Sequence, residues 1–180
     1  MTGPSDPLAA LRATAADRAD HGMRRVLRPR AADDGVLDLA SNDYLGLARD
    51  PRVTAAAAEA ALRWGAGSTG SRLVTGSTRL HADLEADLAG FVGAEAGLVF
   101  SSGYLANLGV LTALAGPGSL LVSDRLNHAS VVDGARLSRA EVRVVEHRDV
   151  AAVDRALSGR TSDRTVVVTD AVFSVDGDLA

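Results

Sequence analysis

The chain has 180 residues, 47% of them hydrophobic, which is enough to bury roughly 70% of the surface its unfolded form exposes, and it reads as one globular unit. A net charge of −4 gives no general attraction to nucleic acid or to an anionic membrane, and the lack of cysteine excludes disulfides and thiolate metal sites. All 19 residues counted as Lys+Arg are arginine, so any chemistry that needs an amine side chain is missing from these residues.

The N-terminus lacks the apolar core of a signal peptide, and Asp6, Asp17 and Asp20 argue against a transit peptide, so a cytoplasmic location is expected. Gly116-Pro117-Gly118 breaks the apolar run nearest to membrane-spanning length. Asp6-Pro7 is a cap followed by proline, and Leu8, Leu11, Ala15, Ala19 and Met23 trace a helical stripe towards a local cluster of Arg24, Arg25, Arg28 and Arg30. Residues 1–35 are therefore expected to form an N-terminal helical arm, with 36–180 forming the body. Val36 to Ala40 predicts a short strand, followed by turn residues in Ser41 to Gly46. Asp50-Pro51 repeats the cap signal and starts an alanine-rich helix ending near Trp64.

Gly65 to Arg72 has no periodicity and predicts a loop; Leu80, Leu84, Leu88 and Phe91 then share one helical face that stops at Gly93. Beyond it, strands are predicted at about 97–101, 119–123, 141–146 and 165–169, separated by helices at about 103–115, 128–138 and 149–158. This alternation predicts an α/β fold, with a mostly parallel sheet and helices on its faces. Ligands in such sheets bind beyond the carboxyl ends of the strands, where three polar stretches fall: Ser101 to Asn107, Ser123 to Ser130 and Thr169 to Asp178.

The first of these stretches turns on Gly103 straight into a helix, which is how a chain builds an anion cradle, although a plain glycine turn has the same form. In the second, His128 is placed to stack on an aromatic ligand or to move a proton, whereas His21, His81 and His147 read as structural or solvated. The acidic residues from Asp170 to Asp178 are expected to have no partnered histidine nearby and read as a solvated turn rather than a metal site. The Gly65 to Ser71 loop lacks the Gly-Lys-Ser/Thr ending of a Walker-type nucleotide site.

Taken together, SNDYLGL at Ser41 to Leu47, GAGSTGSRLVTG at Gly65 to Gly76, FSSGYLAN at Phe100 to Asn107, NHAS at Asn127 to Ser130, Leu137-Ser138, and VFSVDGD at Val172 to Asp178 resemble the α-oxoamine synthases. These are fold-type I transferases with a three-layer α/β/α architecture that use pyridoxal 5′-phosphate. The resemblance runs from about Leu8 to Ala180. In its GSTGSRLVTG form it is most similar to members that condense L-alanine with a pimeloyl thioester, carried by coenzyme A or a carrier protein, in biotin synthesis. The other activities in view are a sister synthase acting on glycine or serine, or a non-catalytic, lysine-free subunit of the same fold.

The resemblance implies that Gly103 and Tyr104 border the cofactor and its phosphate, that the catalytic His128 stacks over the pyridine ring and meets the amino-acid substrate, and that Ser174 bonds near the phenolic oxygen. It implies that Arg24, with Arg25 competing, binds the distal carboxylate of the acyl chain. Asn42 and Ser71 become further substrate contacts across a homodimer interface. Two departures are modest: Val175 stands where the family more often has Met, and Asp170 where Glu is usual. The family's Schiff-base lysine and the aspartate facing the pyridine nitrogen lie beyond Ala180. The chain is thus expected to be the N-terminal part of the large cofactor-binding domain, truncated before that lysine.

Overall fold

The computed structural model describes residues 6–180, so the first five residues of the expected arm lie outside the described residues. The chain divides into two units, one ending at Glu59 and one running from Ala60 to Ala180. In the first, helix α1 spans Ala9–Asp20, starting two residues later than the Asp6-Pro7 signal, while Asp6 Oδ1 still accepts the Leu8 N–H at 2.9 Å. α1 contains no buried residue. Helix α2, Pro51–Trp64, begins as expected, with Asp50 Oδ1 accepting the Arg52 N–H at 2.8 Å.

Val36 to Ala40 forms no strand. A strand persists only where a neighbour takes its N–H and C=O groups, and none runs beside this segment among the described residues. Leu37 and Leu39 are 80% and 87% exposed. What organises the segment is Arg30, whose guanidinium donates to Asp34 at 2.8 and 3.0 Å, to Asp38 at 2.7 Å and to the Val36 carbonyl at 3.0 Å. The expected basic cluster is thus partly neutralised from within.

The second unit opens with the glycine loop, which closes in a single turn at Arg72–Gly76, and continues into helix α3, Arg79–Val92, stopped at Gly93. Leu98 to Ser101 is extended in pattern but unpaired. Its central residue, Val99, instead gives its N–H to Glu85 Oε1 at 2.8 Å and receives Arg72 Nη1 on its carbonyl at 3.1 Å. The Arg72–Glu85 ion pair therefore stands in for the missing ladder.

From there the alternation matches the sequence closely: α4 Gly103–Leu114, β1 Leu120–Asp124, α5 Ala129–Ser138, β2 Glu141–Val145, α6 Val150–Ser158 and β3 Thr165–Val168. The sheet is parallel, in the order β2-β1-β3, with Leu120 level with Glu141 on one side and Thr165 on the other. β1 is central and buried throughout its length, which is why it reads as an unbroken apolar run ending in Ser123 and Asp124.

Side chains alternate across the strand, so Leu121 packs with Leu111 and Ala115 of the α4 end and Val131 and Ala135 of α5, while Leu120 and Val122 pack with Val145 and Ala156 on the opposite face. Three layers result, with α4 and α5 above the sheet and α6 below. α4 and α5 approach so closely at Gly134 that a Cβ there would lie 2.8 Å from Leu111 Cδ1 and 3.3 Å from the Asn107 carbonyl oxygen. Among the described residues no helix is long and apolar enough to cross a membrane.

Candidate active site

Three polar stretches gather at the carboxyl ends of β1 and β3. α4 starts where Ser102, in extended conformation, accepts the Leu105 N–H on its side chain at 3.2 Å. The cap leaves the N–H groups of Gly103 and Tyr104 with no intrahelical acceptor, at the positive end of the helix dipole. No atom of the described residues beyond its chain neighbours and its own helix backbone lies within 4 Å of where a Cβ on Gly103 would sit, so the approach to that backbone is open. The donor set and the open face both fit a phosphate. The Tyr104 hydroxyl donates to Asp133 Oδ2 of α5 at 2.6 Å, and the carboxylate pushes the phenol up from its ordinary range.

His128 caps α5. Its Nδ1 lies 3.2 Å from the Ser130 N–H and 2.7 Å from Ser130 Oγ, and that Oγ accepts Asn107 Nδ2 of α4 at 2.8 Å. The backbone N–H needs Nδ1 as an acceptor, which places the proton of the neutral ring on Nε2. Ser130 is fully buried, so the hydroxyl that orients the imidazole is itself locked between two helices. The His128 N–H donates to Asp170 Oδ2 at 2.9 Å.

Asn127 joins the two strand ends. Its Nδ2 donates to Ser123 Oγ and to the Val168 carbonyl, both at 2.9 Å, while its Oδ1 accepts the Asp170 N–H at 2.9 Å. Asn107, Ser130, His128, Asp170 and Asn127 therefore form one hydrogen-bonded chain from α4 through α5 to the ends of β1 and β3. The presence of Asp where a longer acid was expected leaves this contact made.

Ser174 is exposed, in a turn carried beyond β3. That turn is closed by Phe173 N–H to the Asp178 carbonyl at 2.9 Å and Gly177 N–H to the Phe173 carbonyl at 2.8 Å, with Gly177 at φ +71°, a conformation that glycine adopts without strain. Asp178 meets His147 Nε2 at 2.9 Å, and His147 Nδ1 lies 3.0 Å from Asp124 at the end of β1. His147 therefore sits between two carboxylates that the sequence does not put near it, which corrects the expectation of a solvated acidic turn with no partnered histidine: Asp178 is half-buried and paired with this ring. The register that sets Asp124 opposite Val145 brings them together, and that register is invisible until the strands pair.

Of the remaining candidates, Ser71 is exposed at the mouth of the glycine loop, and its neighbour Arg72 ties that loop to Val99, just before the α4 turn. Arg24 and Asn42 belong to the first unit, where both are exposed; Arg24 and Arg25 both line a concavity with Ala15, Arg18 and Met23. His81 accepts the Thr78 N–H on Nδ1 at 3.2 Å as part of the cap of α3, and His21 lies 3.3 Å from Asp17.

Residues 34–180 match the family described as aminotransferase class I and II. The 8-amino-7-oxononanoate synthase of Mycobacterium bovis (strain BCG / Pasteur 1173P2) is 63% identical over 174 residues, covering 97% of this chain and 45% of that protein. Among solved structures, the serine palmitoyltransferase of Sphingomonas wittichii superposes with a TM-score of 0.85 at 32% identity, over 98% of this chain and 48% of that one. The serine palmitoyltransferase of S. paucimobilis with bound PLP–myriocin aldimine does so with a TM-score of 0.80 at 31% identity, over 98% and 50%. The chain spans about half the length of these proteins.

Proposed function

The chain belongs to the aminotransferase class I and II family, with the α/β architecture of fold-type I, and on that premise we propose that it supplies the phosphate and ring-stacking side of a pyridoxal 5′-phosphate-dependent α-oxoamine synthase. The whole protein would condense L-alanine with a pimeloyl thioester, with loss of carbon dioxide, to give 8-amino-7-oxononanoate for biotin synthesis. The 63% identity over 97% of the chain supports the pimeloyl and alanine reading over the sister synthases. One observation carries the site: the open N-terminus of α4 at Gly103 and the fixed His128 ring are joined through Asn107 and Ser130.

Bound there, the cofactor would supply an electron sink for the substrate carbanion. The Gly103 and Tyr104 N–H groups would hold its phosphate, His128 would stack on its ring and meet the amino acid, and Ser174 would donate to its phenolic oxygen. The Nε2 proton of His128, a residue exposed at the start of α5, would be offered to a substrate carboxylate or carbonyl. Arg24 would take the distal acyl carboxylate, a task that suits a planar bidentate cation. Asn42 and Ser71 would reach substrate across a homodimer interface, residues 1–35 would act as a helical arm, and 36–180 would be the N-terminal part of the large domain. A cytoplasmic location follows from the same reading.

Equilibrium binding of pyridoxal phosphate to the whole protein, followed by assays pairing alanine, glycine and serine with pimeloyl and acetyl thioesters, tests this. Cofactor binding and a clear preference for alanine with the pimeloyl thioester are expected; a preference for glycine or serine would overturn the substrate assignment.

A further inference from the structure

His147 holds more of the candidate site together than its place in the sequence implies. Its Nδ1 lies 3.0 and 3.1 Å from the two oxygens of Asp124, and its Nε2 lies 2.9 Å from Asp178 Oδ2. Ionised carboxylate oxygens only accept, so both ring nitrogens donate, and an imidazole that donates from both is the charged form. Asp124, 8% exposed, also accepts the N–H groups of Leu126 and Arg148 at 2.8 Å, which anchors it at the end of β1.

The other side of the ring faces the turn. Phe173, 2% exposed, meets the imidazole edge-on with centroids 4.4 Å apart and planes at 85°. Phe173 and Asp178 are also the two residues that close the turn through the Phe173 N–H. Both feet of the turn therefore rest on one side chain. Asp178 Oδ1 is buried with no partner among the described residues, so the grip on this carboxylate falls to His147 and, at 3.4 Å, to the Arg148 guanidinium. Ser174 rides between the feet, exposed and without a hydrogen bond of its own among the described residues.

We infer that His147 is a positioning residue for the cofactor site: by gripping Phe173 and Asp178 it holds the Phe173 to Asp178 turn against the end of β1, and so sets where Ser174 presents its hydroxyl. The inference rests on the assignment of Ser174 to the cofactor. The charged groups around the ring are Asp124 from β1, Asp178 from the turn and Arg148 from the same loop; Asp149 is engaged in capping α6, and Glu146 pairs with Arg125.

The test uses the whole protein, two single variants, their double variant and a Ser174→Ala control, with two readouts: amide exchange across residues 171–180, and equilibrium affinity for pyridoxal phosphate. His147→Gln keeps one donor and loses the double grip, while Asp178→Asn removes one partner at constant size. Each is expected to speed exchange in the turn. His147→Gln should weaken the cofactor by roughly tenfold, the equivalent of one charge-assisted hydrogen bond, with the double variant no worse than His147→Gln alone because the two share one contact. Turn amides that exchange at the wild-type rate in both variants would overturn the inference. So would a loosened turn with unchanged affinity in a protein where Ser174→Ala does weaken binding. If Ser174→Ala itself leaves affinity unchanged, the assignment of Ser174 fails and the positioning role falls with it, an outcome the control variant separates from failure of the grip alone.

Discussion

The unit ending at Glu59 and the region from Gly103 to Val168 both form helices that carry apolar side chains, yet they reach different states. α1 and α2 have no buried residue, and the contacts of the first unit are caps and ion pairs such as Arg30 with Asp34 and Asp38. From Gly103 onward, β1 is buried throughout between α4 and α5 on one face and α6 on the other. The difference shows that an apolar stripe specifies an element's local conformation, while burial needs a partner layer in the same fold. The candidate residues divide along the same line. Gly103, Tyr104 and His128 stand on braced elements, while Arg24 and Asn42 stand on a unit held by surface chemistry.

The sharpest way to break this comparison is a pair of truncations followed by chemical denaturation. Leu121→Ala, at a fully buried position, is expected to cost about 2–5 kcal/mol, whereas Leu39→Ala, at 87% exposure, should change stability by less than about 0.5 kcal/mol. Equal effects would mean that the first unit has a core of its own. A smaller effect is expected from Asn127→Leu, which keeps volume but orphans the Val168 carbonyl and the Asp170 N–H. It should destabilise by about 1–3 kcal/mol in the same measurement, and faster amide exchange at Asp170 would localise the loss.

The smallest effect is a dependence on pH that separates the two regions. Asp178 and then Asp124 hold the His147 pKa above its ordinary 6.5, so its contribution is complete below that value and is lost as pH rises through the raised one. Asp178 is held below 3.8 by His147; burial pushes Asp124 up, but the N–H groups of Arg148 and Leu126 and the His147 ring outweigh it, so both carboxylates contribute above 3.8 and lose that as pH falls through their lowered values. Protection of the 171–180 turn should therefore be greatest between about pH 4 and about pH 6.5 and decline on either side. In the first unit, Arg30 lowers Asp34 to about 2, and the guanidinium does not titrate. Exchange protection corrected for intrinsic rates, compared at about pH 6 and about pH 9, is expected to fall in the turn and to stay constant around Val36. A parallel fall in both places would sink the distinction.

Much of the fold was legible in the sequence. The alternation after Gly93, the parallel sheet, the helix starts at Asp50-Pro51 and Ser102-Gly103, and the polar stretches beyond β1 and β3 all follow from period, caps and chain direction, which are local properties. The strands expected at Val36 to Ala40 and at 97–101 did not form, because a strand is completed by a neighbour and local sequence does not supply one. At Val99 the side chains of Arg72 and Glu85, 27 and 14 residues away, take the backbone groups instead.

The same limit applied to the candidate site. Gly103 and His128 announced themselves through a turn and a motif. That His128 is oriented through a buried Ser130 held by Asn107, and that His147 sits between Asp124 and Asp178, depended on strand register and helix packing. Sequence by itself determined which residues are candidates for the chemistry and most of the elements that bear them, since both are written in neighbouring side chains. Only the tertiary structure decided which of those residues are braced and by whom, because bracing is a relation between segments brought into contact when β1 is buried between its two layers.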